Sequence, residues 1–251
     1  MNNRSVYSEI QHGIATLEFF SEDANALNKE LLSRLCDEFK KLDKNSDVKA
    51  IILKSEKNKT FCAGASLKEL VAINDIESGV DFFMGFANLL NTMRTCSKII
   101  IGRIQGKAVG GGVGIIAACD YCFATEQSAI KLSELSIGLA PFVIEPAVTR
   151  KVGVGAFAEC TFEPTTWKNA YWCKSNGLYA RVFESIAEMD REIEYLSTSF
   201  EGYNPQALQE LKKTLWAGTG HWEALLEERA LMSAKLVLSE HCKKAIEKYK
   251  N

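Results

Sequence analysis

Short apolar runs alternate with helix-periodic segments along the first half of the chain. VYSEI and GIATLEFF, split by the turn QHG, predict two strands. From Asn28 apolar residues recur every three or four positions, which predicts an amphipathic helix ending near DKNSD. VKAIILK, KIIIGRI, DYCFATE and AIKL are typical of buried strands. Residues 77–97 and 112–118 predict helices, and the aromatic side of the first should pack in the core rather than line a pocket.

After residue 132 the pattern becomes mostly helical, with RVFES as an exception. Alternating strands and helices followed by helices predict an α/β core, residues 1–190, and a C-terminal helical region, residues 191–251. Apolar side chains repeat at helical spacing in this second region and predict a packing or assembly surface: Leu208, Leu211, Leu215, Trp222, Leu225, Leu226 and Ala230.

Composition indicates which classes of binding partner the protein has and in which cellular compartment we expect it. The chain has 251 residues and a formal net charge of −2, so bulk charge favours neither a nucleic-acid nor a membrane partner. Of the eight cysteines only Cys119 and Cys122 are close, in a C-x-x-C within a predicted buried strand, so we expect core thiols and no metal site. Free thiols, no signal-peptide pattern and no apolar run near ~20 residues predict a cytoplasmic protein.

Two glycine-bearing turns, CAGAS and VGGGVG, each follow a predicted buried strand. Two backbone N–H groups from such turns can converge on one oxygen and form an oxyanion hole. Dinucleotide binding is disfavoured, because the helix after G-x-G-x-x-A is too short for a βαβ unit. A serine nucleophile at GASLK is also disfavoured. The motif lacks its last glycine, and none of the three histidines lies in a segment that suggests the base of a catalytic triad. A third interpretation is that the glycines only allow a strand and a helix to pack closely. That explanation suffices for one glycine cluster, but it is weaker for two clusters that follow two strands.

Three stretches in register resemble the crotonase, or enoyl-CoA hydratase/isomerase, superfamily. They are FCAGASLKEL, GKAVGGGVGIIAACD and AIKLSELSIGLAP, and the resemblance extends over essentially the whole chain. It implies a crotonase (ClpP-like) fold of repeated ββα units, with a C-terminal helical region used to form trimers that often pair into hexamers. It also implies an acyl-CoA substrate and no separate cofactor.

The resemblance assigns site residues by motif position. The thioester oxygen should lie between the N–H groups of Ala65 and Gly111. The loop AGASL is similar to the part that cradles CoA, and Ser66 stands where aspartate is common in the family. The full set of expected binding residues is Ala63, Ala65, Ser66, Leu67, Gly110, Gly111, Pro141 and Phe142.

Hydratases of the family usually carry two catalytic glutamates, and this chain keeps the second as Glu134. At the first position stands Gly114, which offers no side chain for chemistry. A single carboxylate suits proton transfer between carbons, so the resemblance favours an enoyl-CoA isomerase over a hydratase. A decarboxylase, or a homologue that binds acyl-CoA without turnover, stays open.

A substitute for the missing carboxylate is Glu145. It lies in APFVIEPAVTRKVG, where bulky Phe142, Val143 and Ile144 replace the family's small residues in a segment that lines the acyl pocket of relatives. A helix-start glutamate before Pro146, favoured by the helix dipole, is the stronger interpretation of Glu145.

Overall fold

The computed structural model describes residues 5–56 and 59–247. Its strands are β1 (Val6–Gln11), β2 (Ile14–Phe19), β3 (Ala50–Ser55), β4 (Thr60–Cys62), β5 (Ile99–Ile104), β6 (Lys107–Val109), β7 (Tyr121–Thr125), β8 (Ala129–Lys131), β9 (Lys168–Asn169) and β10 (Arg181–Phe183). Its helices are α1 (Lys29–Lys44), α2 (Leu67–Ala72), α3 (Ile76–Thr95), α4 (Gly111–Ala118), α5 (Glu145–Phe162), α6 (Ala170–Ser175), α7 (Ile186–Ser199), α8 (Pro205–Leu215), α9 (Trp222–Val237) and α10 (Glu240–Glu247).

The strands form two sheets joined by a repeated unit. The larger sheet has the order β1-β2-β3-β5-β7-β10 and the smaller one β4-β6-β8-β9. Three times the chain runs from a strand of the larger sheet into a short strand of the smaller sheet and then into helical structure: β3 to β4, β5 to β6 and β7 to β8. The predicted α/β fold of repeated ββα units is therefore confirmed.

The smaller sheet is where the sequence prediction was incomplete. β4 and β6 are each three residues long, with sequences TFC and KAV, and neither was predicted as a strand. Such segments are too short to show period-2 alternation. The glycine turns consequently follow these short strands, and not β3 and β5 directly as the sequence suggested.

A buried ion pair fastens the C-terminal helices to the larger sheet. One carboxylate oxygen of Asp120 accepts hydrogen bonds from Lys212 Nζ (2.6 Å) and from the Ile100 N–H (2.8 Å). Its other oxygen accepts from Trp216 Nε1 at 2.7 Å. The side chains of Asp120 and Lys212 are each only 3% exposed, so both charges depend on these partners.

The last long helix, α9, packs against α3. A Cβ added at Gly79 of α3 would lie 2.9 Å from the Ala234 Cβ, so the bare glycine allows the two helices to approach closely. Trp222 and Leu226 of α9 are buried, whereas Leu211 and Leu215 of α8 are about half exposed. The predicted boundary at residue 190 falls within α7, and the division into two regions stays a prediction.

The structure describes one copy of the chain, so the expected trimer or hexamer also stays a prediction. Among the described helices, none combines the length and the apolarity that a membrane crossing requires. The eight cysteines are buried free thiols, which agrees with the interpretation of Cys119 and Cys122 as core residues. Within residues 5–56 and 59–247, no three His, Cys, Asp or Glu side chains are grouped to hold a metal ion.

The Asp120–Lys212 pair gives a first prediction. Lys212→Met leaves a buried carboxylate without its cation and should lower the free energy of unfolding by about 3–5 kcal/mol. The double variant Lys212→Met/Asp120→Asn removes the uncompensated charge and should be less destabilised than the single one. Denaturant unfolding measures both. The control is Lys213→Met, an exposed neighbour paired with Glu210, and a loss there as large as in Lys212→Met would contradict the role of burial.

Candidate active site

The short strands of the smaller sheet bring three distant loops together. β4 pairs with β6 in parallel, with Cys62 opposite Ala108, and β6 pairs with β8 in parallel, with Ala108 opposite Ile130. Because parallel strands end at the same edge, the segments that begin at residues 63, 110 and 132 leave the sheet side by side. The glycine turns and Glu134 therefore meet at one place, although they come from three separate segments of the chain.

Two glycines at this edge have backbone conformations that side chains rarely adopt. Gly64 has φ +90° and Gly110 has φ +50°. A Cβ on Gly64 would lie 2.7 Å from the carbonyl oxygen of Val109, and a Cβ on Gly110 would lie 2.8 Å from Glu134 Oε1. The bare backbone thus lets the first turn contact the second, and the second contact the carboxylate.

The N–H groups of Ala65 and Gly111 have no partner in the part of the chain that the structure describes. Leu27 donates its N–H to the Gly64 carbonyl (2.7 Å) and accepts one from Ser66 (2.9 Å), which leaves the intervening Ala65 N–H unused. Gly111 is the first residue of α4, where an N–H has no acceptor within the helix. Both residues line the same cavity, so two backbone donors are available there to a ligand.

Glu134 is the acidic side chain of this cavity. It begins a 3-10 turn, Glu134–Ile137, and its carbonyl accepts the Leu139 N–H at 3.0 Å, which fixes its backbone. Within the described residues, its Oε2 is buried with no hydrogen-bond partner. Burial raises the pKa of Glu134 to about 7. The carboxyl can therefore exist in both protonation states near neutral pH, as a proton-transfer group must.

The cavity has a volume of about 400 Å³ and is lined by most of the residues expected from the sequence. Expected residues in its wall are Ala63, Ala65, Leu67, Gly110, Gly111, Glu134, Pro141 and Phe142. Ser66 is outside this wall: its hydroxyl caps α2 by accepting the Glu69 N–H at 3.4 Å. Ser66 therefore has a local helix-capping role.

Glu145 is also outside the cavity wall. Its Oε1 accepts a hydrogen bond from the Thr149 hydroxyl at 3.0 Å, and its Oε2 lies 3.8 Å from Arg229 Nη2. It begins α5, as the helix-start interpretation predicted. These contacts hold the Glu145 carboxylate between α5 and α9.

The space next to Gly114 is filled by Ile144. A Cβ on Gly114 would lie 2.4 Å from Ile144 Cγ2 and 2.8 Å from its Cβ, both far inside van der Waals contact. Ile144 is 4% exposed and lines the cavity. An apolar side chain therefore occupies the place next to the backbone from which a second glutamate would extend.

Several cavity residues were not predicted. Phe83 and Phe86 of α3 line the cavity, so the expectation that this aromatic side serves only as core was wrong in part. Lys131 ends β8, three residues before Glu134, and that position could have drawn attention to it. Pro164, Thr165 and Ser233 also line the cavity. They carry no motif: Pro164 and Thr165 lie in the loop after α5 and Ser233 lies in α9, far along the chain from Glu134.

The contact between Gly114 and Ile144 predicts a steric coupling. Gly114→Ala should lower the free energy of unfolding by about 1–3 kcal/mol through overpacking, despite the higher helix propensity of alanine. The double variant Gly114→Ala/Ile144→Ala should lose less unfolding free energy than the sum of the two single variants. The smaller side chain at position 144 makes room for the new methyl group, and that methyl group fills part of the space that Ile144 leaves. Thermal unfolding measures the cycle. Gly155→Ala is the control, since nothing lies within 4 Å of its added Cβ, and additive losses would refute the coupling.

Because the Glu134 carboxyl is buried, its ionisation should destabilise the folded state, and stability should therefore depend on pH. Because folding raises the pKa of Glu134 to about 7, the folded state holds this proton more tightly than the unfolded state does. Its contribution to stability is present at low pH and is lost as the pH rises through about 7. The difference obtained by subtracting the wild-type Tm from the Tm of Glu134→Gln should therefore be more positive at pH 8 than at pH 5. Glu240→Gln, whose side chain is 92% exposed, should show no such trend; a flat difference for Glu134→Gln would mean that its ionisation costs nothing.

Comparisons with known proteins agree with this arrangement. The family model described as enoyl-CoA hydratase/isomerase matches residues 9–251. A Bacillus subtilis protein described as a probable enoyl-CoA hydratase is 27% identical over 240 residues, which cover 94% of this chain and 92% of that protein. The ethylmalonyl-CoA decarboxylase of Mus musculus is 31% identical over 132 residues, which cover 52% of this chain and 41% of the decarboxylase.

Among solved structures, an enoyl-CoA hydratase from Bacillus halodurans superposes with a TM-score of 0.90. The superposition covers 97% of this chain and 99% of the hydratase, at 20% sequence identity, and so establishes the shared fold. The family match extends over nearly the whole chain and includes all three strand ends that build the cavity. The chain therefore belongs to the enoyl-CoA hydratase/isomerase family.

Proposed function

We propose that this protein is an enoyl-CoA isomerase that converts a 3-enoyl-CoA into the conjugated 2-enoyl-CoA. The proposal depends on one observation: within the described residues, Glu134 supplies the single carboxyl group of the cavity wall. The space beside Gly114 is filled by the apolar side chain of Ile144. Isomerisation needs one group that takes a proton from carbon and returns it to another carbon. Hydration also needs a group that activates water, and the apolar Ile144 cannot do so.

In the proposed reaction, the thioester oxygen accepts hydrogen bonds from the Ala65 and Gly111 N–H groups. The Glu134 carboxylate takes a proton from the α-carbon, and the electron pair of that C–H bond passes into a dienolate whose charge rests on the thioester oxygen. The Glu134 carboxylic acid then returns the proton to the γ-carbon, and the double bond moves into conjugation. Each backbone donor stabilises the developing charge by several kcal/mol in comparable oxyanion holes.

The raised pKa suits both steps. A carboxyl group of pKa about 7 is a stronger base than an ordinary glutamate and still gives its proton back readily. The apolar wall, which includes Phe83, Phe86 and Ile144, keeps the dienolate from bulk water and strengthens its hydrogen bonds.

Decarboxylation is the second candidate, favoured by the similarity to the mouse ethylmalonyl-CoA decarboxylase. Loss of CO₂ from a malonyl-type thioester also leaves an enolate whose charge rests on the thioester oxygen, and the same two N–H groups would stabilise it. That reaction needs a proton donor for the α-carbon, for which protonated Glu134 is suitable.

The isomerase proposal predicts a specific activity pattern. The purified protein should conjugate 3-enoyl-CoA substrates, hydrate 2-enoyl-CoA at least 10-fold more slowly, and leave an alkylmalonyl-CoA unchanged. Glu134→Gln should lower kcat by roughly 10²–10⁴-fold, the usual contribution of a general acid–base. The wild-type kcat/KM should fall as the pH drops below about 7, because protonation of Glu134 removes the base.

Spectroscopic assays of conjugation and hydration, with CO₂ release measured in parallel, separate the outcomes. Glu240→Gln is the matched control and should keep wild-type rates, since its carboxylate is exposed on α10. Fast hydration abolished by Glu145→Gln would overturn the isomerase proposal in favour of a second carboxylate. Decarboxylation of the alkylmalonyl-CoA without isomerisation would replace it by the second candidate.

A further inference from the structure

Two lysines and a tryptophan come together beside the cavity. Lys107 Nζ lies 4.9 Å and Lys131 Nζ 4.6 Å from the centroid of the Trp167 ring. The smaller sheet produces this cluster: β6 carries Lys107, the neighbouring β8 ends at Lys131, and β9 begins directly after Trp167. Strand pairing fixes the backbones of Lys107 and Lys131, and Trp167 directly precedes a paired strand, so the two ammonium groups lie near one ring.

Lys107 and Lys131 differ from a neighbouring lysine in their contacts with carboxylates. In the part of the chain that the structure describes, no ion pair forms to Lys107 or Lys131. The adjacent Lys168 contrasts with them, because it contacts both Glu159 (2.5 Å) and Glu163 (2.6 Å). A cation–π contact with tryptophan is worth about 0.5–1 kcal/mol at exposed sites and leaves the positive charge in place.

Lys131 also lines the cavity, where two hydroxyl groups accompany it. Ser133 and Thr165 belong to the same wall. Within the described residues, neither hydroxyl makes a hydrogen bond to the protein. Burial alone accounts for the raised pKa of Glu134, so Lys131 does not act as the counter-ion of that carboxyl. Lys131 thus borders the cavity with an ammonium group that stays charged beside Trp167, and the wall next to it carries two hydroxyl groups without a protein partner in the described part of the chain.

We infer that Lys131, Ser133 and Thr165 form a subsite for an anionic oxygen group of the bound thioester, with Lys107 and Trp167 supporting it from outside the cavity. This inference rests on the proposed binding of acyl-CoA in the cavity. The group is a carboxylate at the far end of the acyl chain or a phosphate of the CoA moiety. Both offer oxygens that accept charge-assisted hydrogen bonds from an ammonium and hydroxyls.

Binding measurements with three probes distinguish the two sources. The probes are butanoyl-CoA, glutaryl-CoA and butanoyl-pantetheine, which lacks the phosphates, and calorimetry gives Kd for each. Lys131→Gln should raise the Kd of an anionic probe by about tenfold or more, as expected for the loss of one charge-assisted hydrogen bond. A rise for glutaryl-CoA alone identifies the acyl carboxylate. A rise for both CoA thioesters, with butanoyl-pantetheine unchanged, identifies a phosphate.

Two further variants separate binding from structure. Lys131→Arg keeps the charge and should restore most of the affinity. Lys213→Gln removes an exposed lysine of α8 and should leave all three Kd values unchanged. The inference is overturned if Lys131→Gln leaves every Kd unchanged or weakens all three probes equally, or if the wild type binds neither CoA thioester. If the wild type binds them without isomerising a 3-enoyl-CoA, the isomerase proposal fails while the subsite stands.

Discussion

The candidate active-site cavity depends on the parallel pairing of three very short strands. β4, β6 and β8 contribute few hydrogen bonds, but their common direction places three loops at one edge of the smaller sheet. Without this pairing the N–H groups of Ala65 and Gly111 and the carboxyl of Glu134 would have no common neighbour. The larger sheet stabilises the arrangement, because each short strand directly follows one of its long, buried strands.

The site brings together polar groups without hydrogen-bond partners, an arrangement that is unfavourable for the stability of the fold. Two backbone donors and one carboxylate oxygen lack partners within the described residues. A buried polar group without a hydrogen bond typically costs 1–3 kcal/mol. The chain meets this cost with a large apolar core and a C-terminal region held by the Asp120–Lys212 ion pair. A bound thioester would supply an acceptor for the donors, so the cost in the free protein becomes favourable binding energy.

The C-terminal helices do more than cover the core. α9 packs on α3, contributes Ser233 to the cavity wall, and holds Glu145 through Arg229. Ile144 fills the space beside Gly114, the position at which the sequence resemblance expects a first carboxylate. In the proposed isomerase reaction, the apolar Ile144 matters as much as the acidic Glu134, because it leaves no second carboxyl group to activate water.

The sequence by itself determined the alternation of strands and helices, the positions of Ala65, Gly111 and Glu134 in three motifs, and the absence of a side chain at Gly114. These features are local: periodicity and motif order can be read without knowing which segments meet. Only the tertiary structure decided that β4 and β6 are strands, that Ile144 fills the space beside Gly114, that Glu145 lies with Arg229, and that Lys131 lines the cavity. Each of these depends on contacts between segments far apart in the chain, and such contacts leave no local pattern.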